Sequence, residues 1–220
     1  FPTEEGQAQA KRKIAELGLE ALVVIGGNGS LTGAHLLARD APCRIVGIPA
    51  SIDNDVGHSM MSIGVDTAVN TIVEACDRIS DTARAHRRAF VVEVMGRHCG
   101  FLAMRAGIAA EADAILYGER GDQDLDALTE RMTGVLRRCF GDDSDKKRCL
   151  ILKAEGVDVP TKALVERLQA FLDAEIPGVD VRETVLGHVV RGGHPSALDR
   201  LIAQRLGYAA AAAVIRGAHD

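Results

Sequence analysis

Several things are scarce or missing in this 220-residue sequence. The longest apolar stretch near its end, Ala209 to Ile215, is far shorter than the roughly 20 residues a membrane span needs, and no signal-peptide pattern opens the chain. Positive charge is not in excess: 26 Lys and Arg stand against 31 Asp and Glu, a formal net charge of -5. Such a surface offers nucleic acid no general attraction, so any cationic site has to be local. The five cysteines, Cys43, Cys76, Cys99, Cys139 and Cys149, are odd in number, scattered and never spaced as CxxC. Neither a disulfide framework nor a zinc site is indicated by that spacing, and the cytoplasm is the expected compartment. There is no internal repeat, and the only biased segment is the alanine run at 209 to 213, read as the small-residue face of a terminal helix. With 47% hydrophobic and 26% charged residues, the chain has the composition of one sizeable globular domain or two small ones.

What is present is alternation. Thr3 is a candidate cap for a first helix that carries Glu4 and Glu5 in its opening turn and stops at Gly18. Leu22 to Ile25 is a short β-branched run beside glycines, the form of a strand buried on both faces of a parallel sheet. A helix is expected at Leu31 to Ala38, a strand at Arg44 to Ile48, a long helix from about Asp66 to Ala85 and a strand at Ala89 to Val94. Further strands are expected at Ala112 to Leu116, Cys149 to Lys153 and Val181 to Leu186, with helices at Leu125 to Cys139 and Thr161 to Ala174 between them. The expected fold class is therefore α/β: layered, mainly parallel sheets with flanking helices. Gly141 to Arg148 reads as a charged surface loop.

In such folds ligands gather beyond the carboxyl ends of strands, and four loops there are unusual. Ser51-Ile-Asp-Asn-Asp55 places two carboxylates, Asp53 and Asp55, on one short loop after an apolar run. Two acids so close repel unless a proton, a cation or donors intervene, and phosphoryl transfer needs such a pair, one to accept a hydroxyl proton and one to hold a metal. A solvated acidic turn is the plainer alternative. Gly26-Gly-Asn-Gly-Ser30, with Gly33 further on, follows a buried strand and opens a helix, where backbone N–H groups can meet a phosphate. Its spacing fits neither the dinucleotide fingerprint nor GxxxxGK[ST], and a tight strand-to-helix turn is the competing reading. Met95-Gly-Arg-His-Cys-Gly100 and Gly187-His-Val-Val-Arg-Gly-Gly193 each follow a strand, and arginines 88, 97, 182 and 191 lie at or beside strand ends. Singly each is an ordinary surface arginine and His188 an ordinary structural histidine; together they point to a small phosphorylated substrate. Glu155, after another strand, could accept hydrogen bonds from its hydroxyls.

These motifs, in this order and over nearly the whole chain, resemble the 6-phosphofructokinase family. The likeness is carried by Gly26 to Ser30, Ser51 to Asp55, Val91-Val-Glu-Val-Met-Gly-Arg-His-Cys-Gly100 and Val185-Leu-Gly-His-Val-Val-Arg-Gly-Gly-His-Pro195, followed by Asp199-Arg200. The resemblance implies a two-lobed architecture, with a nucleotide-binding lobe at 1–64 plus 190–220 and a sugar-phosphate lobe at 65–189. It implies that Asp53 takes the proton of the sugar 1-hydroxyl, that Asp55 and Asn28 place Mg2+, and that Ser51 and Arg97 sit at the transferred phosphoryl group. Gly27, Asn28, Gly29, Ser30 and Gly33 would cradle ATP, while Met95, Gly96, Arg97, Glu155, His188 and Arg191 would line the fructose 6-phosphate site. Arg88 and Arg182 would reach that site from a neighbouring subunit of a homotetramer, in an allosteric, glycolytic enzyme of the cytoplasm.

Small residues at Gly29 and Ala50, where pyrophosphate users of the family tend to carry aspartate and lysine, favour ATP as donor. Three departures stand out. Asn28 replaces a usual aspartate, and an amide oxygen is a weaker magnesium ligand than a carboxylate. Gly57 to Met61 replace a more polar stretch. The family's first strand and a further phosphate-binding glycine loop are expected upstream of Phe1, and a C-terminal segment after Asp220, so the 220 residues alone are expected to be inactive. The competing readings are a non-catalytic regulatory half, which Asn28 favours, an NAD or lipid kinase sharing Gly-Gly-x-Gly, and a dinucleotide-fold dehydrogenase.

Overall fold

A computed structural model describes residues 3–121, 124–142 and 144–217. The chain divides into two compact units, Phe1–Asp66 with Pro195–Asp220, and Thr67–His194.

In the first unit, α1 (Glu4–Glu16) begins at Thr3, whose side chain accepts from the Gly6 N–H, and carries Glu4 and Glu5 where the helix dipole favours acids. Strands β1 (Ala21–Gly26) and β2 (Arg44–Pro49) pair in parallel, with Ala21 opposite Arg44 and Gly26 opposite Pro49. Between them α2 spans Asn28–Ala38. It starts earlier than the Leu31 expected from sequence. Gly27 takes the extended cap position and Leu31 N–H already bonds Gly27 O at 3.0 Å, so Asn28, Gly29 and Ser30 form the first helical turn instead of a separate loop. Alternation along β2 divides its side chains between two cores. Ile45 joins Ile14, Ala34 and Leu37 from α1 and α2, whereas Val46 and Ile48 pack with Ala210 of α7 (Ala197–Ile215).

The second unit is built on four parallel strands in the order β4 (Ala114–Leu116), β5 (Arg148–Ala154), β3 (Arg88–Val94), β6 (Asp180–Val185). Central strands β3 and β5 are buried almost throughout, as their unbroken apolar runs require. Helices α5 (Leu125–Phe140) and α6 (Thr161–Glu175) cover the sheet with Leu128, Met132, Leu136, Leu164, Leu168 and Leu172, each at most 1% exposed. Helix α3 spans Val65–His86 and α4 spans Phe101–Ala109. Among the described residues no helix is long and apolar enough to cross a membrane.

Candidate active site

In the first unit the acidic loop is held in shape by the residue between the two acids. Asn54 adopts a left-handed backbone, φ 53°, which asparagine tolerates better than most residues. Its Oδ1 accepts the Ser62 N–H at 2.8 Å, and its own N–H bonds Ser51 O at 3.3 Å, closing a turn. The end of the loop is fixed again by Asp199, buried to 2%, whose Oδ1 accepts the Gly64 N–H at 2.8 Å. Asp53 is half-buried on this loop, and Asp55 is exposed.

The same loop lies against the first turn of α2. Asn28 Nδ2 reaches Asp55 O at 3.5 Å, and Ala50 N–H bonds Gly26 O at 2.9 Å. A Cβ on Gly27 would stand 3.2 Å from Ser51 Cβ, and one on Gly26 would stand 2.7 Å from Ser30, so the backbones approach this closely only because both residues lack side chains. At Gly29 a Cβ would meet nothing within 4 Å. The first turn of α2 and the loop that carries Ser51, Asp53 and Asp55 are thus neighbours, joined through Asn28 and the close approach of Gly27 to Ser51. Gly33 is one turn further along α2.

In the second unit the loops leaving β3, β5 and β6 interlock. Gly96, at φ 133°, follows Met95; a Cβ there would lie 2.5 Å from Cys99 O. Gly96 N–H points at Glu155 Oε1, 3.4 Å away, and Gly156 N–H bonds Gly96 O at 3.2 Å. A Cβ on Gly156 would collide with Arg97 O, so that glycine is as necessary as Gly96. Arg191 Nε lies 3.4 Å from Met95 Sδ, which joins the third loop to the first. Met95 is buried at the base of this cluster, while Arg97, Glu155, His188 and Arg191 project from it into solvent. Two supports escaped sequence reasoning. Glu119 Oε1 accepts the Gly100 N–H at 2.6 Å at the start of α4. Beneath the loops, fully buried Lys153 pairs with Glu93 at 3.2 Å, and Glu93 also accepts from Thr161.

The four arginines fall into two pairs. Arg97 and Arg191 stand beyond the carboxyl ends of β3 and β6, whereas Arg88 opens β3 and Arg182 lies near the start of β6. A seven-residue strand extends about 20 Å, so the pairs occupy opposite ends of one sheet. Asp180 lies between Arg88 and Arg182, at 3.6 Å and 3.0 Å. The parallel register sets the starts of β3 and β6 side by side, with Arg88 opposite Asp180.

The glycine-bearing turn, acidic loop and arginine loops can be compared with known proteins. The family model for Phosphofructokinase matches residues 1–214. The chain belongs to the phosphofructokinase family. It is 44% identical over 220 residues to the ATP-dependent 6-phosphofructokinase of Thermotoga neapolitana, covering all of this chain and 65% of that protein. Against the ATP-dependent 6-phosphofructokinase 1 of Thermus thermophilus it is 43% identical over 219 residues, 99% of this chain and 64% of the relative. The phosphofructokinase structure from Saccharomyces cerevisiae superposes with a TM-score of 0.85 at 34% identity, over 97% of this chain and 31% of that one. A pyrophosphate-dependent phosphofructokinase from Marinobacter aquaeolei shares the fold alone, at 18% identity and a TM-score of 0.79 over 100% and 58% of the two chains. The chain thus spans about 65% of the length of the curated phosphofructokinases it matches.

Proposed function

We propose that the protein containing this chain transfers the γ-phosphoryl group of ATP to the 1-hydroxyl of fructose 6-phosphate, giving fructose 1,6-bisphosphate, as a cytoplasmic enzyme of glycolysis. The observation that carries the reading is the apposition of the first turn of α2 to the loop bearing Asp53 and Asp55, through Asn28 and the close approach of Gly27 to Ser51. A helix N-terminus attracts phosphate oxygens, and a carboxylate beside it can receive the proton that the attacking hydroxyl must lose. Asp53, the less exposed of the pair, is the base; Ser51 and Arg97 attend the transferred group.

The donor set suits magnesium, since Asp55 offers a carboxylate and Asn28 an amide oxygen, both hard ligands. When bound there, Mg2+ would offset the negative charge of the donor's phosphates. Gly27, Gly29, Ser30 and Gly33 hold the nucleotide, and the open space at Gly29 supports ATP in preference to pyrophosphate. In the second unit Gly96 and Glu155 set the position of Arg97, while Met95, His188 and Arg191 complete the sugar-phosphate side.

Arg88 and Arg182, at the far end of the sheet from Arg191, serve a neighbouring protomer's sugar phosphate in a homotetramer. Their separation from the carboxyl-end loops is what supports a shared site.

A second reading, a regulatory half without catalysis, is favoured by Asn28, whose Nδ2 is spent on Asp55 O where an aspartate would offer only acceptors. A coupled assay of fructose 6-phosphate-dependent ADP release by the full-length protein separates the two. Turnover with ATP supports the kinase; turnover with pyrophosphate alone refutes the donor assignment; saturable sugar-phosphate binding without turnover supports the regulatory half.

A further inference from the structure

Cysteine spacing pointed to no metal site, yet the fold brings two of the five together. Cys139 is the penultimate residue of α5 and Cys149 the second residue of β5; they are 2% and 0% exposed. Asp113, just before β4, joins them, and one carboxylate oxygen and both sulfurs lie within 4.8 Å of one another. Buried cysteines often pack simply as small apolar groups. The carboxylate is what distinguishes this trio, because its side chain is only 8% exposed and is held in place from two directions. Leu150 N–H donates to Oδ2 at 2.9 Å, Lys146 Nζ donates to Oδ1 at 2.6 Å, and Asp113 N–H returns a bond to Leu150 O at 2.7 Å. An ionised carboxylate has about four lone-pair sites; these two donors and the hydrogen bond from the Cys139 thiol leave one free, and the thiol's bond is released when that thiol ionises. The hydrogen bond from Cys149 to the Cys139 sulfur lowers the Cys139 thiol below its ordinary pKa, and the same bond together with burial raises Cys149.

We propose that Asp113, Cys139 and Cys149 bind a thiophilic divalent cation of the zinc class. Zinc takes thiolates at about 2.3 Å and carboxylate oxygens at about 2.0–2.2 Å in tetrahedral array, which sets ligand atoms roughly 3.5–3.8 Å apart. The trio needs to contract by only about 1 Å to meet that. Charges balance: two thiolates, one carboxylate and the Lys146 ammonium offset the divalent ion. On binding, each S–H bond gives way to an S–metal bond and its proton leaves to solvent, with no change of oxidation state; water takes the fourth position. Bound metal would tie the end of α5 to β5 and to the start of β4. The carboxylate's donors, Leu150 N–H and Lys146, are the outer partners that such ligands require.

The test uses full-length protein, stripped by chelator and kept reduced with a phosphine, titrated with Co2+ alone. One equivalent per chain should give a thiolate-to-cobalt charge-transfer band that Zn2+ then abolishes, with about two protons released per ion. Cys139→Ser and Cys149→Ser should each remove the band, and Asp113→Asn should weaken binding at least about tenfold. Cys43→Ser should leave the band intact. X-ray absorption of the zinc-loaded wild type, which depends on no variant folding, should find two sulfurs among the ligands. Absence of the band, its persistence after both cysteines become serine, or a coordination shell without sulfur would each overturn the proposal.

Discussion

Alanine at position 96 should damage the proposed sugar-phosphate site far more than the addition of one methyl group suggests. Gly96 stands at φ 133°, and the added Cβ would lie 2.5 Å from Cys99 O, inside the 3.0 Å limit that real Cβ atoms respect. The backbone has to leave a conformation reserved for glycine, at a cost of about 1–3 kcal/mol, and to move by at least about 0.5 Å. That movement strains the contact to Glu155 Oε1 and the bond from Gly156, which hold the two peptides flanking Gly96, the second of them leading into Arg97. Displacing a catalytic group by about 1 Å can cost roughly 10²-fold, so kcat/KM for fructose 6-phosphate should fall by about that factor in Gly96→Ala. The KM for ATP should change little. Gly207→Ala is the matched control: a Cβ within α7 there meets nothing within 4 Å, so kinetics should be unaltered and stability should rise by up to about 1 kcal/mol. Steady-state kinetics of the full-length variants decides the matter. Gly96→Ala within a few-fold of wild type for the sugar phosphate would refute the positioning role given to this loop.

Further outcomes concern assembly, stability and pH. Arg182→Ala should raise the KM for fructose 6-phosphate by roughly one to two orders of magnitude, the worth of a charge-assisted hydrogen bond. If the site is shared, mixing and reassembling Arg182→Ala with Asp53→Asn protein should give, at fructose 6-phosphate well below the Arg182→Ala KM, more activity than the two variants assayed apart; no gain in confirmed hybrid oligomers would remove Arg182 from a neighbour's site. Lys153→Met leaves Glu93 half-buried beside Thr161 with no cation, so denaturant titration should show a loss near the lower end of the 3–5 kcal/mol range for broken buried pairs, largely recovered in Glu93→Gln/Lys153→Met. Equal losses in the single and double variants would show that the pair is not coupled. Burial raises the Cys76 thiol to about 11, with Asp77 adding to the rise. Unfolded chains therefore release this proton before folded ones do, and the stability it confers is complete below about pH 9 and lost as pH rises towards 11. Cys76→Ala should flatten that part of the pH–stability curve, and an unchanged slope would contradict the shift.

The elements were largely legible in the sequence, because central strands such as β3 and β5 and amphipathic helices write their periods into it; β1, expected to be buried on both faces, instead leaves Val23 41% and Ile25 62% exposed. Strand β3 and helix α3 begin and end within one residue of the positions expected from Ala89 to Val94 and Asp66 to Ala85. Helix α2 was foreshortened because two glycines and an asparagine read as loop, although the first turn of a helix tolerates them when its N–H groups are to stay open. Motif residues could be named, but their supports could not. Glu155 meets Gly96 across 59 positions, Lys153 meets Glu93 across 60, and Asp199 meets Gly64 across 135. No local pattern marks such bonds, and Asn54 alone carried a signal, as an asparagine between two aspartates in a tight loop. Cys139 and Cys149 illustrate the same limit, since the pairing of β4 with β5 and the packing of α5 on the sheet, rather than CxxC spacing, bring them to Asp113.

Comparison of Asp53→Asn with the wild-type full-length protein tests the central claim most directly. Turnover is followed as ADP release with saturating ATP and fructose 6-phosphate, and sugar-phosphate affinity is measured separately by equilibrium binding. General-base catalysis contributes roughly 10²- to 10⁴-fold, so kcat should fall by at least that order while binding of fructose 6-phosphate is retained. Turnover within a few-fold of wild type would show that Asp53 does not take the proton and that the acidic loop is not the catalytic centre.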